Sequence, residues 1–251
     1  MVKEFAGLTD EEAKVLASTG ILDPQKADRM VENVIGSIPV TLGIATNFQV
    51  NGRDVLVPMA TEEPSVIAAA SNAAKLAREK GGFKASMTDP IMIGQIQLTH
   101  AKEPKQAMKE ILDHKAELLE LANSKDPMLV KLGGGARDLE IRIIETGQGT
   151  MLIIHLLVNC LDAMGANAVN TMAEAISPKM EDITGGKVYL RIISNLAIHR
   201  LARSEAVFSK EALGGEDVVS GILEAYAFAA ADPFRATTHN KGIMNGIDAV
   251  V

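Results

Sequence analysis

Three short stretches of this 251-residue chain concentrate side chains that can do chemistry. In Thr61-Glu62-Glu63-Pro64-Ser65-Val66, a proline suited to the first helical position is followed by Ala68, Ala69, Ala70, Ala73 and Ala74, which are expected to pack tightly. Such a helix start offers free N–H groups and a positive dipole end to a carboxylate or phosphate, and Ser65 adds a hydroxyl. Glu63 beside it can act as an acid if burial raises its pKa. The plainer alternative is an ordinary N-terminal cap with acidic neighbours. In Asp162-Ala163-Met164-Gly165-Ala166-Asn167, between an apolar strand and a helix, the glycine lets the backbone approach a ligand and the helix start can receive a pyrophosphate. A tight strand-to-helix turn accounts for the same residues equally well. The third stretch, Phe234 to Gly246, crowds Arg235, His239, Lys241 and Asn245 into a glycine-punctuated segment. An arginine can grip a carboxylate in two-pronged fashion, and a lysine stabilises a developing oxyanion. A solvated loop is the alternative, but this density of donors between apolar segments favours function.

Other residues carry less. His100, His114, His155 and His199 lack metal-ligand spacing or carboxylate partners, and no metal is expected. Cys160, the single cysteine, reads as a small core filler and excludes a disulfide framework or a Cys-rich zinc site. Gly133–Gly135 reads as a flexible loop, and no G-x-G-x-x-G fingerprint occurs. A formal charge of −7, no Trp, two Tyr and six Phe argue against a nucleic-acid partner. The longest apolar run, Met151–Val158, is interrupted by His155 and is too short to span a membrane. Residues 1–20 carry Glu4, Asp10, Glu11 and Glu12, unlike a signal peptide. With 47% apolar and 23% charged residues, the chain is expected to fold as a cytoplasmic globular protein.

Among the elements around these residues, Ile91–Thr99 alternates as a half-buried strand, and Pro104–Ser124 has helical apolar spacing. Residues 137–145 and 151–158 read as a hairpin around Thr146-Gly147-Gln148-Gly149. A helix through Val169–Ile183 ends at Gly185-Gly186, and 187–194 is a fourth strand. The order β-α-β-β-α-β is the ferredoxin-like split unit. Around it, residues 11–35, 64–80, 195–208 and 216–230 read as helices, and 43–49 with 53–59 as a strand pair turned at Asn51-Gly52. The fold class expected is α+β, a helical large domain (1–88 and 195–251) interrupted by a ferredoxin-like domain at 89–194. Both ends look cut. Lys3–Leu8 reads as the last turn of a helix before a capping box at Thr9–Glu12, and Ile247–Val251 as the start of an apolar strand.

Taken together, Glu32-Asn33-Val34-Ile35-Gly36, Pro58-Met59-Ala60-Thr61-Glu62-Glu63-Pro64-Ser65, Asp162–Asn167 and His239-Asn240-Lys241-Gly242-Ile243-Met244-Asn245-Gly246 occur in an order that resembles class II HMG-CoA reductase, the bacterial and archaeal type without a membrane anchor. The resemblance covers the whole chain. It implies an inserted small domain that binds a nicotinamide cofactor and an active site at a homodimer interface to which Glu32–Gly36 belongs. Glu63 matches the catalytic glutamate, and Lys241 the catalytic lysine at the substrate carbonyl. Ser65, Arg235 and Asn245 match positions around the hydroxymethylglutaryl group. Asp162, Met164, Gly165, Ala166 and Asn167 match the cofactor loop, and Asp126 an acidic residue near the adenosine ribose. The implied reaction reduces HMG-CoA to mevalonate and CoA with two hydrides, from NADH by preference with NADPH the alternative, or runs in reverse. The family's further catalytic aspartate and histidine have no counterpart before Val251, so the chain alone is expected to be inactive. The competing expectation is a non-catalytic ferredoxin-like binding or association module.

Overall fold

The computed structural model describes residues 2–17 and 22–251. The chain divides into two compact units, Met1–Lys84 with Ala206–Val251, and Ala85–Glu205. In the first, helix α1 (Val2–Ala6) stops at Gly7, whose φ of 65° suits glycine, and α2 (Asp10–Ala17) follows. The expected capping box forms: the Glu12 amide donates to Thr9 Oγ1 at 3.2 Å, and the Thr9 amide donates to Glu12 Oε2 at 2.8 Å. The expected helix over 11–35 is not continuous. After α3 (Pro24–Ala27) the chain turns, and Asn33 adopts a left-handed φ of 56° that ends any helix there. The part of that expectation over 18–21 lies outside the described residues.

Strands β1 (Leu42–Val50) and β2 (Arg53–Ala60) form the expected hairpin, with Asn51 at φ 50° and Gly52 at φ 78° as its two turn residues. Helix α4 (Val66–Arg78) covers it, and Ala45 and Met59 meet Val66, Ile67 and Ala70 in a small core. Pro64 stands before the cap rather than at the first helical position. Of the expected packing alanines, Ala74 is buried, whereas Ala68, Ala69 and Ala73 are exposed.

Strand β3 (Phe83–Met87), which leads into the second unit, is not among the expected elements. There, β4 (Ile91–Thr99), β5 (Gly135–Thr146), β6 (Gly149–Asn159) and β7 (Lys187–Ser194) form an antiparallel sheet in the order β5-β6-β4-β7. This is the order of the ferredoxin-like unit. The expected helix over 104–124 is two, α5 (Pro104–Asp113) and α6 (Lys115–Asn123), broken at His114 with φ −97° and ψ 10°. The short α7 (Pro127–Lys131) follows, and α8 (Ala166–Thr184) completes the helical layer. Ile111 and Leu118, with Val169, Met172, Ile176 and Met180 from α8, bury against Ile96, Leu98, Leu152, Ile154, Leu156 and Val158 of the sheet. Gly94 permits the closest approach, because a Cβ there would stand 2.9 Å from Val169 Cγ1.

Gly133–Gly135 is not the flexible loop expected. Gly134 and Gly135 are buried, and the Asn123 amide clamps Ala136 from both sides: Asn123 Nδ2 donates to its carbonyl at 3.2 Å, and its amide donates to Asn123 Oδ1 at 2.7 Å. The helix expected over 195–208 is also overturned. Residues 195–200 bend, and β8 (Ala202–Ala206) is a strand, with Leu201 exchanging backbone and side-chain bonds with Thr88. A helix-prone Ala-Leu-Arg sequence yields here to an available partner strand. The first unit resumes with α9 (Lys210–Leu213), α10 (Glu216–Ala231) and α11 (Pro233–Asp248). The donor-rich stretch Phe234–Gly246 is therefore helix rather than loop, and Ile247–Val251 ends that helix instead of starting a strand.

The start signal of α11 lies upstream of the donors: Asp232 caps it, its Oδ2 accepting from the Arg235 amide at 2.7 Å, and Pro233 follows. Asp232→Ala is expected to lower stability to urea by about 1 kcal/mol, whereas Asp232→Asn changes it by a few tenths. Equal losses in the two variants would show that the cap is not what Asp232 supplies.

Candidate active site

In the first unit, Lys241, Asn245 and Ala249 recur every fourth residue and so share one face of the C-terminal helix. Ala249 is buried beside Ala45 and Met59, and its carbonyl accepts from the Ala60 amide at 2.7 Å. This contact seats the end of α11 against the end of β2. One and two turns back, Asn245 Nδ2 at 3.0 Å and Lys241 Nζ at 2.6 Å both donate to Glu63 Oε2. Glu63 is fixed from its own side by Thr61, whose hydroxyl accepts from the Glu63 amide at 3.1 Å, while the Thr61 amide donates to the Thr41 carbonyl at 3.0 Å. Thr61 was not singled out from the sequence; the Thr-x-Glu spacing of a side-chain turn was its signal.

Ser65 is not an ordinary cap. It holds a left-handed φ of 71° and makes no side-chain cap bond. Such backbone costs a non-glycine residue on the order of 1 kcal/mol or more and collects at functional positions. Glu63 is only partly buried, its side chain being 46% exposed and that of Lys241 59%. An ion pair this exposed stabilises a fold by at most about 1 kcal/mol, so its value lies in what it presents. It presents a carboxylate that can carry a proton, a cation able to face a developing oxyanion, and an amide orienting both. Arg235 lies on the same helix, about 120° around from Lys241 at roughly 100° per residue. Neither it nor Ser65 hydrogen-bonds to the Glu63 group among the described residues.

The second unit holds the other candidates. Gly165 caps α8 at φ 96°, with no side-chain cap bond, and a Cβ there would overlap Cys160 Sγ. Glycine is therefore required by backbone and by packing alike. Asp162, Met164 and Asn167 are exposed around it, and Ala166 opens the helix. Beneath the turn, burial pushes the Cys160 thiol up, as a core filler's should be. Asp126 caps α7, its Oδ1 accepting from the Leu129 amide at 2.9 Å, and it is half-buried. Arg200, also unmarked in the sequence reading, donates to two carbonyls of the Asp162 turn. His155 contacts Gln95 Nε2 at 3.0 Å and Arg142 Nη2 at 3.3 Å. Among the described residues, no group of three or more His, Cys, Asp or Glu is placed to hold a metal ion.

All 251 residues match the family model described as hydroxymethylglutaryl-coenzyme A reductase. The chain is 63% identical over 250 residues to 3-hydroxy-3-methylglutaryl-coenzyme A reductase of Archaeoglobus fulgidus, covering 100% of this chain and 57% of that protein. It is 32% identical over 230 residues to the probable enzyme of Borreliella burgdorferi, covering 88% of this chain and 51% of that one. A structure of the class II reductase from Streptococcus pneumoniae, bound to NADPH in open conformations, superposes with a TM-score of 0.92 at 41% identity. That match covers 99% of this chain and 61% of the other. The fold is thus that of class II reductases, and the chain belongs to the hydroxymethylglutaryl-coenzyme A reductase family. It spans little more than half the length of the A. fulgidus relative.

Burial, then the positive charges of Arg142 and His199, hold His155 below its ordinary 6.5, against the opposing pull of Glu140. The unfolded chain therefore binds the proton more readily, and stability is lost as pH falls through and below about 6.5. His155→Gln is expected to flatten the dependence of Tm on pH between about 7.5 and 5.5. An unchanged slope in the variant would assign that loss to other groups.

Proposed function

We propose that the protein is a hydroxymethylglutaryl-CoA reductase, converting the HMG-CoA thioester to mevalonate and free CoA, or running the reverse oxidation. The observation that carries this is the convergence of Lys241 and Asn245 on one oxygen of Glu63, in a chain that belongs to the reductase family. Lys241 donates to the substrate carbonyl oxygen and stabilises negative charge as it grows there. Glu63 passes a proton to that oxygen during aldehyde reduction. The same group assists collapse of the hemithioacetal. Asn245 keeps the Glu63 carboxylate aimed, and Arg235 and Ser65 bind the carboxylate end of the hydroxymethylglutaryl group.

Two reduced nicotinamide cofactors, bound one after the other, would supply the two hydrides, one each. The second unit has features that suit one: a glycine turn with no room for a Cβ, and an α8 N-terminus without a side-chain cap. Asp162, Met164, Gly165, Ala166 and Asn167 would hold it, with Asp126 at the adenosine ribose. One Asp126 oxygen caps α7, leaving the other to accept from ribose hydroxyls and to repel a 2′-phosphate. NADH is therefore the proposed preference, although the S. pneumoniae relative has been seen with NADPH. No α10 residue is buried, and Ile222, Leu223, Tyr226 and Phe228 are exposed, as are Ile35 and Ile38 near the Glu32–Gly36 segment. These apolar surfaces support a homodimer. No described helix is long and apolar enough to cross a membrane, and a cytoplasmic location is part of the proposal.

In the full-length protein, Lys241→Ala is expected to lower kcat for both thioester and aldehyde by about 1,000-fold or more with little change in KM. Arg235→Ala should mainly raise KM for HMG-CoA. Near-normal turnover in Lys241→Ala would refute the assignment. For the cofactor, Asp126→Asn keeps the cap, because asparagine caps helices as well as aspartate does, while removing the charge. The ratio of kcat/KM for NADH over NADPH should fall by about tenfold in that variant. An unchanged ratio, or a clear NADPH preference before mutation, counts against the role given to Asp126.

A further inference from the structure

Arg200 has no part in the chemistry above, yet its half-buried guanidinium forks onto the backbone of the Asp162–Asn167 turn. Nη1 donates to the Ala163 carbonyl at 2.7 Å and Nη2 to the Leu161 carbonyl at 3.2 Å. The turn needs such support. Leu161 has a left-handed φ of 52°, and Asp162, Ala163 and Met164 after it are exposed. From below, the Leu161 amide donates to Asn159 Oδ1 at 3.0 Å, and the Cys160 amide to the Pro90 carbonyl at 3.0 Å. Arg200 is held in turn by Thr88, which grips the residues on both sides of it. The Thr88 hydroxyl donates to the His199 carbonyl at 2.6 Å and accepts from the Leu201 amide at 2.8 Å. The Thr88 amide donates to the Leu201 carbonyl at 3.0 Å.

We propose that Arg200 is the positioning residue of the cofactor turn, fixing it in one conformation so that cofactor binding does not have to order it. The inference rests on the reading of Asp162–Asn167 as the cofactor loop. A planar guanidinium bridges two carbonyls with one group, whereas a lysine ammonium is a compact point charge that lacks the fork. The role is thus one of geometry, and charge alone does not supply it.

The test uses the full-length protein, with NADH and NADPH as probes in calorimetric titration. Both Arg200→Lys and Arg200→Gln are expected to raise the cofactor Kd by about tenfold. Saturating kcat and the KM for HMG-CoA should stay within about twofold, because the role given to the turn is confined to cofactor binding. Amide hydrogen exchange should accelerate at residues 160–166 and stay unchanged across the sheet strands. A wild-type Kd in Arg200→Lys, or a fall in kcat at saturating cofactor, overturns the proposal. Should both variants unfold the unit, Thr88→Val decides: it loosens the segment bearing Arg200 and is expected to raise Kd by about threefold. An unchanged Kd there overturns the proposal too. Asn167→Ala separates the two readings. If it leaves Kd unaltered, the cofactor-loop reading fails; if it raises Kd while Arg200→Lys does not, only the positioning role falls.

Discussion

The hydrogen bond from the Ala60 amide to the Ala249 carbonyl, with Ala249 packed beside Met59 and Ala45, sets the geometry of the candidate site in the first unit. It joins the end of a strand to the end of a helix that comes very late in the chain. Because Lys241 and Asn245 share the helix face that carries Ala249, fixing that one residue sets the height and rotation at which both donors meet Glu63. The strand end in turn delivers Thr61 and, two residues on, Glu63, so one backbone contact governs both partners. The exposed ion pair cannot serve as the anchor, since its contribution to stability is small. The small buried core under it can.

The second unit uses a different division of labour. Its sheet and helices bury a continuous apolar layer, whereas the residues assigned to cofactor contact sit on turns at the edges of that layer. Rigid elements position, and short loops present. Glycine at 165 is part of the same logic, because the packed Cys160 sulfur occupies the space a side chain would need.

Much of this was legible in the sequence because the relevant signals are periodic and local. The alternation in Ile91–Thr99 and the helical stripe from Val169 to Ile183 predict their elements, and the capping box at Thr9 predicts its own bonds. What failed depended on partners far away. The segment after Ser194 has helical composition, yet Thr88, more than a hundred residues earlier, turns it into bend and strand. Phe234–Gly246 was not marked as a helix because its glycines and donors mask one whose start signal, Asp232-Pro233, lies just outside the stretch. Gly133–Gly135 looked flexible because nothing local reveals that Asn123 would clamp it. Glu63, Lys241 and Asn245 were singled out by chemistry and resemblance, and the fold brings the three side chains together. Thr61 was signalled by nothing more than its spacing from Glu63, and Arg200, which acts on backbone, carries no signature of its own.

The way the second unit is inserted bears on the order in which the chain folds. Glu63 and Lys241 are 178 residues apart in sequence, so with the intervening chain unfolded their meeting would close a very long loop. The inserted unit has one hairpin, β5–β6, with β4 paired to β6 and to the later β7, and its own ends are drawn together where Thr88 bonds to Leu201. Once it has folded, the two pieces of the first unit leave from adjacent points, and most of that closure entropy has already been met. With the inserted unit folded first, the loop that the Glu63 group has to close is effectively shortened, and that unit would act as its splint.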